Sequence, residues 1–171
     1  MQLRRRYHLP KKLFSVVSNP EFLRESITPN EDFEKQECVV IGTARNHIFN
    51  SVKSMYKNVL LDTAKYHKMT FKEAEMVKYA SNAFLAAKVS YVNEISNLCE
   101  AWGIDFATVA EGMGLDDRIS PRFLRAGAGF GGSCFPKDVK ALLAAAAAEK
   151  LPAAMLDATL AVNESQPLLL V

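Results

Sequence analysis

The sequence predicts an α/β segment followed by an all-α segment, with the division near residue 67. Up to about residue 66, short β-rich runs alternate with one helical segment, an order that is typical of a parallel sheet. From residue 70 onward, helical spacing and helix caps dominate. We therefore expect the second half of a doubly wound sheet domain over residues 1–67, followed by a helical domain with a long spine helix over residues 68–171.

The first segment is expected to contain three strands and one helix. Residues 1–13 resemble a helix remnant that leads into the first strand. The strand-like runs are Phe14–Val17, Cys38–Ile41 and Val59–Leu61. The helix is predicted from apolar residues at helical spacing, which are Ile48, Phe49, Val52, Met55 and Tyr56. Three strands are few for a complete doubly wound domain, so its first half is expected to be missing.

The spine helix is predicted from its two ends. Thr70 and Glu73 fit a capping box at its start. Gly103 is a natural stop after Trp102. Such a helix has about 32 residues and spans roughly 48 Å. This length exceeds that of most globular helices, so the helix is expected to form a spine or a subunit interface.

Shorter helices are expected after the spine. One begins at Asp105, runs to Glu111 and ends at Gly112 and Gly114. Another is predicted from Ser120–Pro121, with serine as the cap and proline in the first turn. The last two are predicted over Val139–Lys150 and from Leu151 to a point before Pro167.

Composition excludes several classes of protein. The net charge is only +2 over 171 residues, which gives no basis for nucleic-acid binding. No apolar stretch approaches the length of a membrane span, and residues 1–20 lack the apolar core of a signal peptide. Cys38, Cys99 and Cys134 are an odd number of cysteines without C-x-x-C spacing. This pattern argues against a disulfide framework or a zinc site and fits the cytoplasm.

Residues 127–138, GAGFGGSCFPKD, are the most informative stretch. Cys134 follows a glycine-rich run and precedes a predicted helix start, because Pro136 suits the first helical turn. At that position the helix dipole and unpaired N–H groups stabilise a thiolate. The arrangement indicates a nucleophilic thiol with backbone donors nearby for an oxyanion. The alternative is a purely structural role, in which the segment is a helix–helix turn and Cys134 is a small buried residue.

The same glycines fit the dinucleotide fingerprint G-x-G-x-x-G at Gly127, Gly129 and Gly132. That fingerprint requires a preceding strand and an acidic residue about 20 positions later. Here the residues before it, Pro121–Ala126, are predicted to be helical, and an alanine-rich helix follows. The context therefore disfavours dinucleotide binding at this loop.

Four further side chains are candidates for chemistry. Lys78 and Asn82 share one helix face and could stabilise developing negative charge, although a solvated lysine on a helix edge is the commoner arrangement. Asp138 is either a dipole-favoured acid in a first turn or a carboxylate that orients water or Lys78. Glu21, after a predicted strand end, is either a general base or an ordinary loop acid.

Three blocks resemble one family: SNPEFLRE at 18–25, EMVKYASNAF at 75–84 and GFGGSCFPKD at 129–138. Their order and spacing resemble the nucleotide-sugar 6-dehydrogenases of the UDP-glucose/GDP-mannose dehydrogenase family, over about residues 14–165. This resemblance implies a Rossmann-like NAD domain and a helical central domain. It also implies oxidation of a sugar C6 alcohol to a carboxylate with two NAD and one water.

The resemblance also implies roles for individual residues. Cys134 would form a thiohemiacetal and then a thioester, with Lys78 and Asn82 stabilising the C6 oxyanion. Asp138 would support them, and Glu21 would act as the base for thioester hydrolysis. Arg118 would reach the substrate of a neighbouring subunit, and the 70–102 helix would form a homodimer. The segments implied to hold the nucleotide sugar comprise Glu25, Arg118, Phe123, Gly129, Phe130, Gly131, Gly132, Ser133 and Lys137.

The NAD fingerprint and the C-terminal nucleotide-binding domain of the family are expected to be absent, so the cofactor-binding residues are unknown and this chain alone is expected to be inactive. The alternatives are a non-catalytic helical dimerisation fragment, or specificity for GDP-mannose or a UDP-N-acetyl-hexosamine. An unrelated thiol hydrolase would need a histidine partner for Cys134. His8, His47 and His67 lie in no motif that suggests one.

Overall fold

The structure is a computed structural model that describes residues 14–22, 38–57, 59–60 and 63–169. The chain divides into two compact units, Met1–Lys78 and Tyr79–Val171. The predicted helix remnant at 1–13 and the candidate Glu25 lie outside the described residues.

The first unit contains a two-stranded parallel sheet with a helical crossover. Strand β1 (Cys38–Gly42) is followed by helix α1 (Asn46–Tyr56) and strand β2 (Lys65–Met69). Cys38 pairs with Lys65 and Gly42 with Met69 at the two ends of the register. The buried core of this unit consists of Val39, Ile41 and Leu60, with Val17, Phe49, Val52, Tyr56, Ala64 and Tyr66 packed against them.

Two of the three predicted strands in this unit were wrong. Ser18 forms only an isolated bridge with Gly42, and Phe14–Val17 is not a strand. Val59 and Leu60 lie in a turn because both backbone N–H groups donate to the carbonyl of Tyr56 at 2.9 Å; Leu61 lies outside the described residues. The second strand is instead Lys65–Met69. Its residues are mostly polar, so the sequence pattern did not indicate a strand, and its conformation comes from pairing with the buried strand β1.

The spine helix α2 (Phe71–Ala101) confirms the prediction, as do both of its ends. Glu73 Oε2 accepts from the N–H of Thr70 at 2.7 Å, and Thr70 Oγ1 accepts from the N–H of Glu73 at 3.3 Å. At the other end Gly103 has φ +66°. Ile104 N–H donates to the carbonyl of Cys99 at 2.8 Å, which completes a Schellman motif.

Three helices follow in the second unit: α3 (Phe106–Gly114), α4 (Phe135–Ala148) and α5 (Ala154–Leu169). Asp105 caps α3 by accepting from the N–H groups of Ala107 and Thr108. Helix α5 continues past Pro167, where it was predicted to stop. Proline removes a single helical hydrogen bond there, and it lies in the last turn of the helix.

The helix predicted to start at Ser120–Pro121 is absent: residues 121–123 form a bend and a turn, and residues 124–126 have no regular secondary structure. Ser120 and Phe123 have φ values of +65° and +64°, which are incompatible with a right-handed helix. The Lys88 ammonium donates to the carbonyls of Ile119 and Ser120 at 2.6 and 3.2 Å. This tertiary contact holds the backbone in its turn and overrides the local helix signal.

A second core lies among α2, α4 and α5. Ala83, Ala86 and Val139 are buried at its centre, and Phe130, Phe135, Leu142, Leu143, Leu156 and Leu160 pack against them. The architecture is therefore a fragment of a Rossmann-like parallel sheet followed by a helical domain. Among the described residues, no helix combines the length and apolarity needed to cross a membrane.

Candidate active site

Cys134 occupies the N-cap position of helix α4, as the sequence predicted. Pro136 follows in the first turn. The Cys134 side chain makes no capping hydrogen bond, and its Sγ is exposed, 3.6 Å from Ser133 Oγ. The thiol is therefore carried by an exposed residue at the positive end of a 14-residue helix.

Asp138 lies in the first turn of the same helix, but it is not a solvated dipole partner. Only 2% of the residue is exposed. Asn82 Nδ2 donates to Asp138 Oδ2 at 2.6 Å, and the Lys137 ammonium contacts Asp138 Oδ1. A buried carboxylate requires such partners, because burying it without them would be costly. The structure thus brings together Asn82, Lys137 and Asp138, which the sequence singled out separately.

The electrostatics of this group extend to Lys137. The hydrogen bond to Asp138 raises the pKa of Lys137, and the negative charge of Asp138 adds to this increase, while desolvation opposes it. The ammonium also lies 5.7 Å from the centroid of the Tyr79 ring. Lys137 is therefore held as a cation beside the buried carboxylate.

Glu21 and Lys78 form an ion pair within the first unit. The Lys78 ammonium donates to the backbone carbonyl of Glu21 at 2.6 Å and to its Oε2 at 3.2 Å. It also lies 5.4 Å from the centroid of the Phe22 ring. Lys78 and Asn82 lie one turn apart on α2. Lys78 contacts the carboxylate of Glu21, and Asn82 contacts that of Asp138.

The glycine-rich loop before Cys134 does not follow a strand, because bends and turns precede it. Gly129 and Gly132 have φ values of +102° and +74°, a conformation that favours glycine. The loop thus lacks the strand–turn–helix context of a dinucleotide site. Its last residues lead directly into the Cys134 cap.

Aromatic rings surround the start of α4. The Phe130 and Phe135 ring centroids are 6.0 Å apart in an edge-to-face arrangement, and those of Phe123 and Phe135 are 6.2 Å apart. Two predicted substrate residues, Phe123 and Phe130, therefore contact the first residue of α4. This cluster places apolar surface beside the thiol.

Arg118 lies apart from these groups. Its guanidinium forms a fork with both carboxylate oxygens of Asp116, and its side chain is 89% exposed. This pairing raises the pKa of Arg118 and lowers that of Asp116.

Three side chains that sequence reasoning missed also shape the site: Lys88, Asn93 and Asn163. Lys88 holds the 119–120 turn, and the two asparagines hold the glycine loop. A signal for the asparagines existed. Polar residues at 90, 93 and 97, and again at 159, 163 and 166, recur at helical spacing where a core-facing helix would carry apolar residues.

Comparisons with known proteins agree on one family. The central-domain model of the UDP-glucose/GDP-mannose dehydrogenase family matches residues 72–165, more than half of the chain. UDP-glucose 6-dehydrogenase TuaD of Bacillus subtilis is 45% identical over 90% of this chain and 32% of that protein. UDP-glucose 6-dehydrogenase AglM of Haloferax volcanii is 42% identical over 89% of this chain and 36% of that protein. The chain thus spans about a third of the length of these relatives.

Solved structures are similar as well. A UDP-glucose dehydrogenase from Pyrobaculum islandicum superposes with a TM-score of 0.82 at 46% identity, over 88% of this chain and 34% of that one. A GDP-mannose dehydrogenase from Pseudomonas aeruginosa gives a TM-score of 0.58 at 37% identity, over 90% of this chain and 35% of that one. The predicted resemblance and fold class are therefore confirmed.

Proposed function

We propose, from the premise that this chain belongs to the UDP-glucose/GDP-mannose dehydrogenase family, that it carries the covalent machinery of a nucleotide-sugar 6-dehydrogenase. The observation that carries the proposal is the pairing of an exposed Cys134 at the start of α4 with a buried Asp138 one turn later, bonded to Asn82. The proposed overall reaction converts the C6 alcohol of a UDP-glucose-type sugar to a carboxylate, as in UDP-glucuronate formation.

Cys134 acts on the aldehyde that the first oxidation produces. Its thiolate forms a bond to C6, and the carbonyl electron pair moves to the oxygen, which gives a thiohemiacetal. Loss of a hydride from C6 then re-forms the carbonyl as a thioester. Water adds to this thioester, the C–S bond breaks, and the thiolate leaves with its electron pair as the carboxylate forms.

Lys78 and Asn82 stabilise the oxygen of C6 when it becomes negative. An ammonium and an amide N–H are both suitable donors to an oxyanion. The Asn82 amide has two N–H groups, and one donates to Asp138, which orients the side chain. Asp138 thus serves the reaction by fixing Asn82.

Glu21 takes the proton of the attacking water. Its side chain is 58% exposed, so water reaches it, and the Lys78 ammonium contacts its carboxylate. Both residues belong to the first unit, which supports their joint action in hydrolysis.

NAD is the proposed acceptor of both hydrides, as the family resemblance implies. The described residues include β1, α1 and β2 of a parallel sheet, but no G-x-G-x-x-G turn between a strand and a helix that could hold a pyrophosphate. No described residue is therefore assigned to NAD.

The nucleotide sugar is proposed to contact the residues of the glycine loop and its surroundings. These are Phe123, Gly129, Phe130, Gly131, Gly132, Ser133 and Lys137, together with Glu25 and the partner-directed Arg118. UDP-glucose is the favoured sugar nucleotide because relatives named for it are 45% identical. GDP-mannose and UDP-N-acetyl-hexosamines are the alternatives, as is a non-catalytic dimerisation role. The proposed compartment is the cytoplasm.

A homodimer through α2 is part of the proposal. Phe84, Tyr91 and Leu98 are seven residues apart on this helix and are 71%, 54% and 42% exposed. Large apolar residues at this spacing form one stripe along a helix, which is typical of a helix–helix interface.

The covalent step is tested with the C6 aldehyde of UDP-glucose as a protecting ligand. The aldehyde should slow alkylation of Cys134 by iodoacetamide, since the thiohemiacetal occupies the sulfur, whereas UDP-glucose itself should protect less. Alkylation of Cys38 serves as the internal control. Equal alkylation of Cys134 with and without the aldehyde would sink the proposed covalent role.

A further inference from the structure

Two asparagine side chains hold the glycine-rich loop before Cys134. Asn93 lies on α2 and Asn163 on α5, and both belong to the second unit. Asn93 Oδ1 accepts from the N–H of Gly127 at 2.8 Å. The loop is therefore fixed near its start by one helix and, through Asn163, near its middle by another.

Asn163 clamps Phe130 at both backbone polar groups. Its Oδ1 accepts from the N–H of Phe130 at 2.6 Å, and its Nδ2 donates to the carbonyl of Phe130 at 3.0 Å. A Cβ added at Gly129 would lie 2.6 Å from the same Oδ1. The clamp thus requires both the asparagine amide and a glycine beside it.

Asn93 is fully buried, and among the described residues its Nδ2 has no hydrogen-bond partner. A buried unsatisfied donor destabilises the fold. An apolar residue at this position would avoid that cost. The residue type is explained by the Oδ1 atom, which meets the loop at Gly127.

The neighbouring polar pairs of α2 and α5 behave differently. Ser90 Oγ donates to the carbonyl of Thr159 at 2.8 Å. Asn97 and Gln166 exchange hydrogen bonds at 2.9 and 3.2 Å. Both pairs join the helices to each other. Between them, Asn93 and Asn163 instead bond to the loop.

The clamp is linked to Cys134 through Phe130. The Phe130 ring packs edge-to-face on Phe135, the residue after Cys134, and both rings pack on the second core. The backbone of Phe130 is held by Asn163 and its ring by the start of α4. A shift of Phe130 would therefore move the cap where the thiol lies.

We propose that Asn163, assisted by Asn93, is a positioning residue that fixes the 127–133 loop and thereby places the Cys134 thiol. The effect of this placement on catalysis rests on the proposed function, whereas the contacts that fix the loop do not depend on it. Asn163 acts through Phe130 and touches no reacting atom in this account.

The first test measures amide hydrogen exchange of the 127–133 segment in the full chain. Asn163→Ala removes both hydrogen bonds to Phe130, so exchange should rise about tenfold in this segment. Gln166→Ala is the matched control, because it removes the amide pair on the next turn of α5 without touching the loop. Equal exchange in the two variants would overturn the inference. If Asn163→Ala does not fold, Asn163→Asp keeps the acceptor for the Phe130 N–H, loses the donor to its carbonyl, and should give a smaller rise.

The second test measures alkylation of Cys134 by iodoacetamide across pH in the same variants. Asn163→Ala should lower the Cys134 rate or shift its pH profile, and Gln166→Ala should leave both near wild type. If wild-type Cys134 shows no enhanced reactivity, the proposed function fails while the exchange result still decides the loop inference. If wild-type Cys134 is reactive and the Asn163 variants match it, the inference about thiol placement fails.

Discussion

Asn82 Nδ2 lies 2.6 Å from Asp138 Oδ2, and both side chains are buried. The contact joins two residues 56 positions apart, one on the spine helix and one in the first turn of α4. It fixes the amide on α2 against the helix that Cys134 caps. The contact therefore sets the position of the Asn82 amide, the proposed oxyanion donor, relative to the helix that presents the thiol.

Asn82→Ala should destabilise the second unit by about 2 kcal/mol, because it removes a hydrogen bond to a buried carboxylate. Urea unfolding of the variant measures the loss. The double variant Asn82→Ala/Asp138→Ala should lose less than the sum of the two single variants, since the contact is shared. Additive losses would show that the contact does not couple the two residues.

Glu73→Gln should remove a pH-dependent contribution to stability. Hydrogen bonds from the backbone and side chain of Thr70 lower the pKa of Glu73 in the folded chain. A lowered carboxyl pKa stabilises the fold above the unfolded-state pKa, and this contribution is lost as the pH falls through the folded-state pKa. The difference between wild type and variant should therefore be present at neutral pH and vanish in acid.

The measurement is urea unfolding at several pH values, with Glu75→Gln as the control because Glu75 is not part of the capping box. A Glu73→Gln difference that persists in acid would contradict the assignment. Thr70→Ala should cost about 1 kcal/mol at neutral pH, and Thr70→Ser should recover most of it.

Gly129→Ala should destabilise the chain by roughly 1–3 kcal/mol, because its φ of +102° disfavours a side chain and the new Cβ would clash with Asn163. Gly131→Ala is the matched control, since an added Cβ there meets nothing within 4 Å. Thermal unfolding of both variants measures the difference. Equal stability of the two would show that the loop conformation at Gly129 is not fixed.

Phe84→Asp should weaken self-association at least about tenfold, because it places a charge in the apolar stripe of α2. Leu115→Asp is the control, as Leu115 is 82% exposed and lies outside that helix. Sedimentation at several concentrations separates the states. A wild-type chain that stays monomeric throughout, or a Phe84→Asp variant that associates equally well, would contradict the dimer.

The sequence predicted best where local signals agreed with tertiary structure. The capping box at Thr70, the stop at Gly103 and the position of Cys134 are local events, and each was confirmed. The helix expected at Ser120–Pro121 failed because the distant Lys88 side chain holds the backbone in a turn. Strand β2 was missed because its polar residues gain their strand conformation from pairing with β1.

The candidate site was predicted only in part. The sequence identified Asn82, Asp138 and Lys137, but not that the amide of Asn82 and the exposed ammonium of Lys137 both contact the buried carboxylate of Asp138. Asn93 and Asn163 were missed because their function depends on a loop 33–34 residues away. The catalytic roles of the site residues and the domain boundary at residue 67 stay predictions.

The proposed function requires the fold to activate Cys134, and the rate of alkylation of this thiol reports that activation. The rate of Cys134 alkylation by iodoacetamide at neutral pH is compared between the folded chain and the same chain in urea, where every cysteine is exposed. Cys38 and Cys99 serve as references that should be alkylated slowly in the folded chain. Burial raises the pKa of Cys38, and Cys99 is buried. We expect folded Cys134 to react about tenfold faster than unfolded Cys134, because only the folded chain places the residue at the positive end of α4. An equal or slower rate in the folded chain would contradict it.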